Sequence, residues 1–149
     1  MTNSFRPKLP DFSQQKPAVE TTQGIRVEVR SQYFPPESKP ESNLFYFVYE
    51  VQIFNESETV VQLLRRHWVI RDALGQVEEV KGDGVVGQQP VLAPDQVFRY
   101  VSACPLWTPR GEMHGHYVMA NEAGEEFLAK IPKFRLGKGS HLRLVKAEA

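Results

Sequence analysis

What most limits the fold of this chain is an alternation of apolar and polar residues with a period of two, broken at short intervals by turn-forming residues. Ile25, Val27, Val29 and Tyr33 alternate with Arg26, Glu28, Arg30 and Gln32. Successive side chains of a strand point to opposite faces, so this segment reads as a strand with one wet face. Leu44 to Asn55 reads as a second strand: Phe45, Phe47, Tyr49, Val51 and Ile53 share one parity, Glu50 and Gln52 the other. Its first half is apolar on both faces, as a central strand would be. Val60 to Asp72 is a third strand, Asp72-Ala73-Leu74-Gly75 a hairpin turn with Gly75 in the left-handed conformation, and Gln76 to Lys81 the returning fourth strand. Gln96 to Ala103 is a fifth. His114 to Asn121 and Glu125 to Ile131 form a hairpin across Asn121-Glu122-Ala123-Gly124.

Phe34 to Asn43, Gly82 to Asp95 and Cys104 to Met113 hold the prolines and glycines expected of loops. Phe134, Leu136, Leu142 and Leu144 suggest that the tail packs in part. No window of about 12 residues carries a helical stripe. About seven short strands separated by turns argue for an all-β antiparallel sandwich, whose strand order the pattern does not give.

Met1 to Gln23 is polar, with Pro7, Pro10 and Pro17 in no period. It reads as a flexible extension preceding a domain over residues 24–149. The alternative is a short arm that docks through Phe5, Leu9 and Phe12.

Composition excludes several function classes. Lys+Arg and Asp+Glu are each 18, and a net charge of zero gives no reason to expect nucleic acid as a partner. Apolar stretches are interrupted by Glu50, Gln52 or Arg65 well before the ~20 residues of a membrane helix. No membrane partner is expected, and no secretory signal is read at the start of the chain. Cys104 is the only cysteine, which leaves no intrachain disulfide and no cysteine-rich metal site; a cytoplasmic setting is expected.

Three segments concentrate residues with chemistry. Gly82-Asp83-Gly84-Val85-Val86-Gly87 fits G-x-G-x-x-G, and a strand leads into it. A dinucleotide fold needs a helix to follow, whereas Gln88-Gln89-Pro90-Val91-Leu92-Ala93-Pro94 precludes one of useful length. What survives is a loop whose backbone N–H groups aim at an anion, or one that simply needs positive φ at its glycines. In Leu64-Arg65-Arg66-His67-Trp68-Val69-Ile70, alternation sends Arg65, His67 and Val69 to one face and Arg66, Trp68 and Ile70 to the other. An arginine in an apolar strand needs an acceptor, so this segment is either an anion clamp beside the glycine loop or a structural ion pair with Trp68 filling the core. His114 and His116 share a strand face at a spacing that can chelate a divalent ion, with His67, Asp83 or Glu112 as third ligands; without a metal they are surface or half-buried histidines.

Catalytic patterns are missing: there is no G-x-S-x-G elbow, no Walker motif, and Cys104 has no basic neighbour in sequence. Glu78 with Glu79, and Glu125 with Glu126, are adjacent on strands and point to opposite faces, which makes them poor acid/base pairs. The balance leans against an enzyme.

With these residues in hand, the chain resembles the ApaG family from about Gly24 to Leu136. The motifs are Val61-Gln62-Leu63-Leu64-Arg65-Arg66-His67-Trp68, then Val80-x-Gly82-x-Gly84-Val85-Val86-Gly87-x-Gln89-Pro90, then Thr108-Pro109-x-Gly111-x-Met113-x-Gly115-His116-Tyr117, and Ile131-Pro132-x-Phe134-x-Leu136. The resemblance implies a fibronectin-type-III-like, immunoglobulin-like sandwich and an association with cobalt and magnesium resistance or efflux. It also implies a protein-binding role in eukaryotic relatives and a pyrophosphate site at Gly82, Gly84 and Gly87. No cofactor follows from it. The extension Met1 to Gln23 and the basic tail after Leu136 depart from the family core.

The function expected is therefore a non-catalytic module that binds a partner protein or phosphate-bearing small molecule. Its site would use Gly82, Gly84, Gly87, Arg65, Arg66, His67 and Trp68 together with the Thr108 to Tyr117 loop, with Trp68 and Trp107 offering apolar contact. The alternatives are a metal-dependent hydrolase or metal carrier using His114 and His116, and a structural subunit that offers a strand edge to a partner. The oligomeric state is open, a dimer included.

Overall fold

The computed structural model describes residues 8–138. Within these residues nine strands form two antiparallel sheets. They are β1 (Ala18–Thr22), β2 (Ile25–Tyr33), β3 (Phe45–Asn55), β4 (Val61–Asp72), β5 (Val77–Asp83), β6 (Val91–Leu92), β7 (Val97–Leu106), β8 (Arg110–Asn121) and β9 (Glu126–Gly137). The first sheet has the order β1-β2-β3-β7. The second runs β5-β4-β8-β9, with β6 continuing along the edge of β4 beyond β5. The architecture is the expected all-β sandwich.

Alternation explains the interior. Ile25, Val27, Val29, Phe47, Val51 and Ile53 of the first sheet are fully or nearly fully buried, facing Leu63, Met113, Tyr117, Met119 and Leu136 of the second. Each such aliphatic or aromatic side chain contributes about 1.5–3 kcal/mol on burial. Trp68 lies at the centre of an aromatic cluster, its ring 5.4 Å from Tyr49, 6.0 Å from Phe134 and 6.5 Å from Tyr117, all edge-on.

Along one side the sandwich is closed. Ser31 Oγ donates to the carbonyl of Arg135 at 2.9 Å, and the Lys130 amide donates to Thr22 Oγ1 at 3.1 Å. Edge strands β5 and β7 lie on the other side, which is open.

Several expectations are corrected. The domain begins before residue 24: β1 pairs with β2 over the full length Ala18–Thr22, through a turn in which Gln23 and Gly24 both have positive φ. Phe12 is buried against Phe34 and Val48 on the outer face of the first sheet, so β3 is covered on both faces. The docked-arm alternative thus holds for Phe12. Leu9 is exposed, and Phe5, like Leu142 and Leu144, lies outside the described residues. Pro105 does not end its strand. Strand β7 continues to Leu106, because a proline lacking an N–H is tolerated at a sheet edge. Gly82 and Asp83 belong to β5 and pair with Arg66 and Arg65, so the loop after β5 starts later than read.

Candidate functional site

The open side holds a cleft of about 380 Å³ between the two sheets. One wall is the inner face of β4 and β5: Arg66, Trp68, Ile70 and Val80. The other is the inner face of β3 and β7: Tyr49, Tyr100, Ser102 and Cys104. Val85 and Val86 of the glycine loop stand at one end.

Arg66 reaches this cleft through a β-bulge. The register between β4 and β8 shifts between Leu63 and Arg65, so Leu63 points inward and Arg66 and Trp68 do so as well. The extra residue, Leu64, turns its carbonyl to the glycine loop, where it accepts from the Gly84 amide at 2.8 Å and from Gln89 Nε2 at 2.9 Å. The loop is stitched to the bulge again by the Leu63 amide, which donates to the Pro90 carbonyl at 3.0 Å.

The glycines of G-x-G-x-x-G have separate tasks. A Cβ on Gly82 would meet Nη2 of Arg66 at 2.8 Å, and Cζ and Nη1 at 2.9 Å; the missing side chain is the space in which the guanidinium lies. A Cβ on Gly84 would stand 2.2 Å from the Gln88 carbonyl oxygen, and the residue has φ +62°. Val86 and Gly87 take positive φ at the tip of a tight turn closed by reciprocal Val85–Gln88 hydrogen bonds of 2.8 Å. The amides of Gly84, Val85 and Gln88 are therefore taken up within the chain. The loop's contribution to the cleft is its carbonyls: Arg66 Nη1 donates to Asp83 and Gly84 oxygens, each at 2.9 Å. Among the described residues these are the only hydrogen bonds of this guanidinium, and no described carboxylate lies within ion-pair distance of it.

The cleft is electrostatically quiet apart from Arg66 and Glu78 at its lip. Tyr100 and Tyr117 share a buried 2.5 Å hydrogen bond between their hydroxyls, and burial raises both above the usual phenol range. Burial also raises Tyr49 and pushes the Cys104 thiol up to about 12.

The residues singled out from sequence divide between the faces of β4. Arg66, Trp68 and Gly82 come together at the cleft, with Gly84 behind them. Arg65 and His67 lie on the outer face of the second sheet. Arg65 pairs with Glu126 at 2.8 Å; His67 Nε2 is 2.7 Å from Glu79 Oε1. His114 and His116 also face outward, the His116 ring 4.9 Å from that of His67. Burial, then the charges of His67 and Lys81, lower the His116 pKa below its ordinary value. His114 Nδ1 is buried and has no hydrogen-bond partner among the described residues. Among these residues no group of three or more His, Cys, Asp or Glu side chains is placed to hold one metal ion. Trp107 is exposed and does not line the cleft.

Tyr49, Tyr100 and Cys104 are buried core residues, as their pattern reads. That they also border the cleft was not read from sequence; the available signal was that Pro105 marks β7 as an edge, and an edge is where a sandwich can open.

Comparison with known proteins gives a consistent result. A family model described as the ApaG domain matches residues 35–121. The chain is 50% identical over 117 residues to the ApaG protein of Rhodospirillum centenum, covering 78% of this chain and 90% of that one. It is 48% identical over 112 residues to ApaG of Acidithiobacillus ferrooxidans, covering 75% and 88%. A crystal structure described as an ApaA protein from Bordetella pertussis superposes with a TM-score of 0.76 at 42% identity, over 78% of this chain and 94% of that one.

Proposed function

The chain belongs to the ApaG domain family, and from that premise we propose that it is a non-catalytic binding module whose inter-sheet cleft takes the anionic group of a partner protein or phosphate-bearing small molecule. The observation that carries this reading is Arg66. Its guanidinium is fixed over Gly82 by two loop carbonyls through Nη1 alone, with its remaining N–H groups uncommitted to any described carboxylate. Such a preorganised fork suits a bidentate oxyanion. Trp68, Tyr49 and Tyr100 offer an apolar bed for the group that carries the charge.

Acid/base catalysis works best with a group titrating near the working pH, and the thiol and phenols of the cleft are all pushed upward. That supports binding over catalysis. On this reading, the association with cobalt and magnesium resistance that the family resemblance implies would run through the bound partner. A cytoplasmic setting fits a single, buried and unpaired cysteine.

Calorimetry with phenyl phosphate, which joins an anionic head to a small aromatic body, tests the proposal. Saturable binding lost in Arg66→Gln and kept in Arg65→Gln supports it. Equal binding by both variants, or none by the unaltered chain, overturns it.

A further inference from the structure

Pairing divides the arginines among the described residues. Arg26, Arg30 and Arg99 lie in a ladder of ion pairs with Glu28, Glu50 and Glu56 on the outer face of the first sheet. Arg65 has Glu126, and Arg66 has the loop carbonyls. Arg71, Arg110 and Arg135 make no side-chain hydrogen bond or ion pair among the described residues, and all three line one groove of about 430 Å³.

The groove lies at the end of the sandwich where β4 finishes. Arg71 and Arg135 flank Glu112 in register across β4, β8 and β9, and Arg110 opens β8. Two carboxylates share the groove, and each has a partner other than these arginines. Asp72 Oδ1 caps the hairpin, accepting from the amides of Leu74 at 2.9 Å and Gln76 at 3.0 Å. Glu112 Oε2 lies 3.4 Å from Lys133 Nζ. Five residues of extended chain, about 17 Å, separate Arg71 from Arg66, so this groove is not part of the cleft.

We propose that the groove is a second anion site, one that takes a compact phosphoryl polyanion of the pyrophosphate type between the guanidinium groups of Arg71, Arg110 and Arg135. The three guanidinium groups outnumber the two carboxylates of the groove, Asp72 and Glu112, so this concave surface keeps a positive excess that a phosphoryl anion would neutralise. Each guanidinium offers a planar fork that matches phosphoryl oxygens, which a monovalent halide cannot use. All three side chains are exposed, so binding weakens as salt rises.

The test is an NMR titration of the isotope-labelled full chain with inorganic pyrophosphate, against sodium chloride of matched ionic strength. Saturable shifts are expected at the amides of Arg71, Ala73, Gly111 and Arg135. Arg110→Gln and Arg135→Gln should each weaken binding about tenfold, the size expected for loss of one charge-assisted contact. Arg65→Gln removes a charge of the same sign outside the groove and should leave the affinity unchanged. Shifts that merely follow ionic strength, shifts confined to residues 80–88, or unchanged binding by both groove variants would each overturn the proposal. These outcomes are independent of phenyl phosphate binding at Arg66, so either site can fail alone.

Discussion

The guanidinium of Arg66 occupies the space that a side chain on Gly82 would fill, with Nη2 standing 2.8 Å from where that Cβ would be. This relationship gives the glycine motif a structural task. Gly82 admits the arginine, Gly84 admits the carbonyl of Gln88, and the loop holds Nη1 with its oxygens.

The two glycines should therefore respond differently to alanine. In Gly82→Ala the clash is with the far end of a flexible side chain, so Arg66 swings away. We expect a stability loss of about 1 kcal/mol and loss of anion binding. In Gly84→Ala the clash is with backbone at a positive φ, and the loss should be about 3 kcal/mol or more. Urea midpoints together with calorimetry separate the two.

Arg65 and Arg66 are neighbours with opposite fates. Arg65→Ala breaks an exposed pair with Glu126 and should change stability by about 0–1 kcal/mol. Arg66→Ala leaves the carbonyls of Asp83 and Gly84 without their donor and should cost about 1–3 kcal/mol, with binding abolished. Equal effects of the two substitutions on binding would contradict the assignment of faces.

The Tyr100–Tyr117 hydrogen bond is buried, and burial keeps both phenols protonated through the neutral range. Either single Tyr→Phe change leaves the other hydroxyl without its partner and should cost about 1–3 kcal/mol. The double change should cost clearly less than the sum, and a double-mutant cycle in urea measures the coupling.

The pH dependence of stability has a sign set by His116. Its pKa is lowered in the folded chain, chiefly by burial and then by His67 and Lys81. In the unfolded chain it takes up a proton near the ordinary 6.5. Between the lowered value and 6.5 the unfolded state binds more protons, so stability falls as pH drops through this window and levels off below it. His116→Asn should flatten that slope in urea midpoints measured across pH. An unchanged slope would assign the dependence elsewhere.

Much of this was legible in the chain because alternation is strong where one face is wet. Strands β2, β3 and β4 begin and end within a residue of where the pattern puts them. Strand β1 was hidden because Glu20, Thr21 and Thr22 are polar and Pro17 precedes them, although Gln23-Gly24 before an alternating run is a hairpin signal. The opposite orientations of Arg65 and Arg66 followed from alternation alone. What alternation does not give is which side of a sandwich stays open. That depends on β1 and β2 meeting β9 while β5 and β7 remain edges, a long-range property with no local signature. Convergence of Arg71, Arg110 and Arg135 was hidden for the same reason.

The most direct measurement follows the side-chain resonances of Arg66 Nε–H and Trp68 Nε1–H during titration with phenyl phosphate. The account predicts that both shift saturably, together with the amides of Val80 and Ser102 on opposite walls of the cleft. If binding is seen while these resonances stay still, Arg66 is not the group that reads the anion.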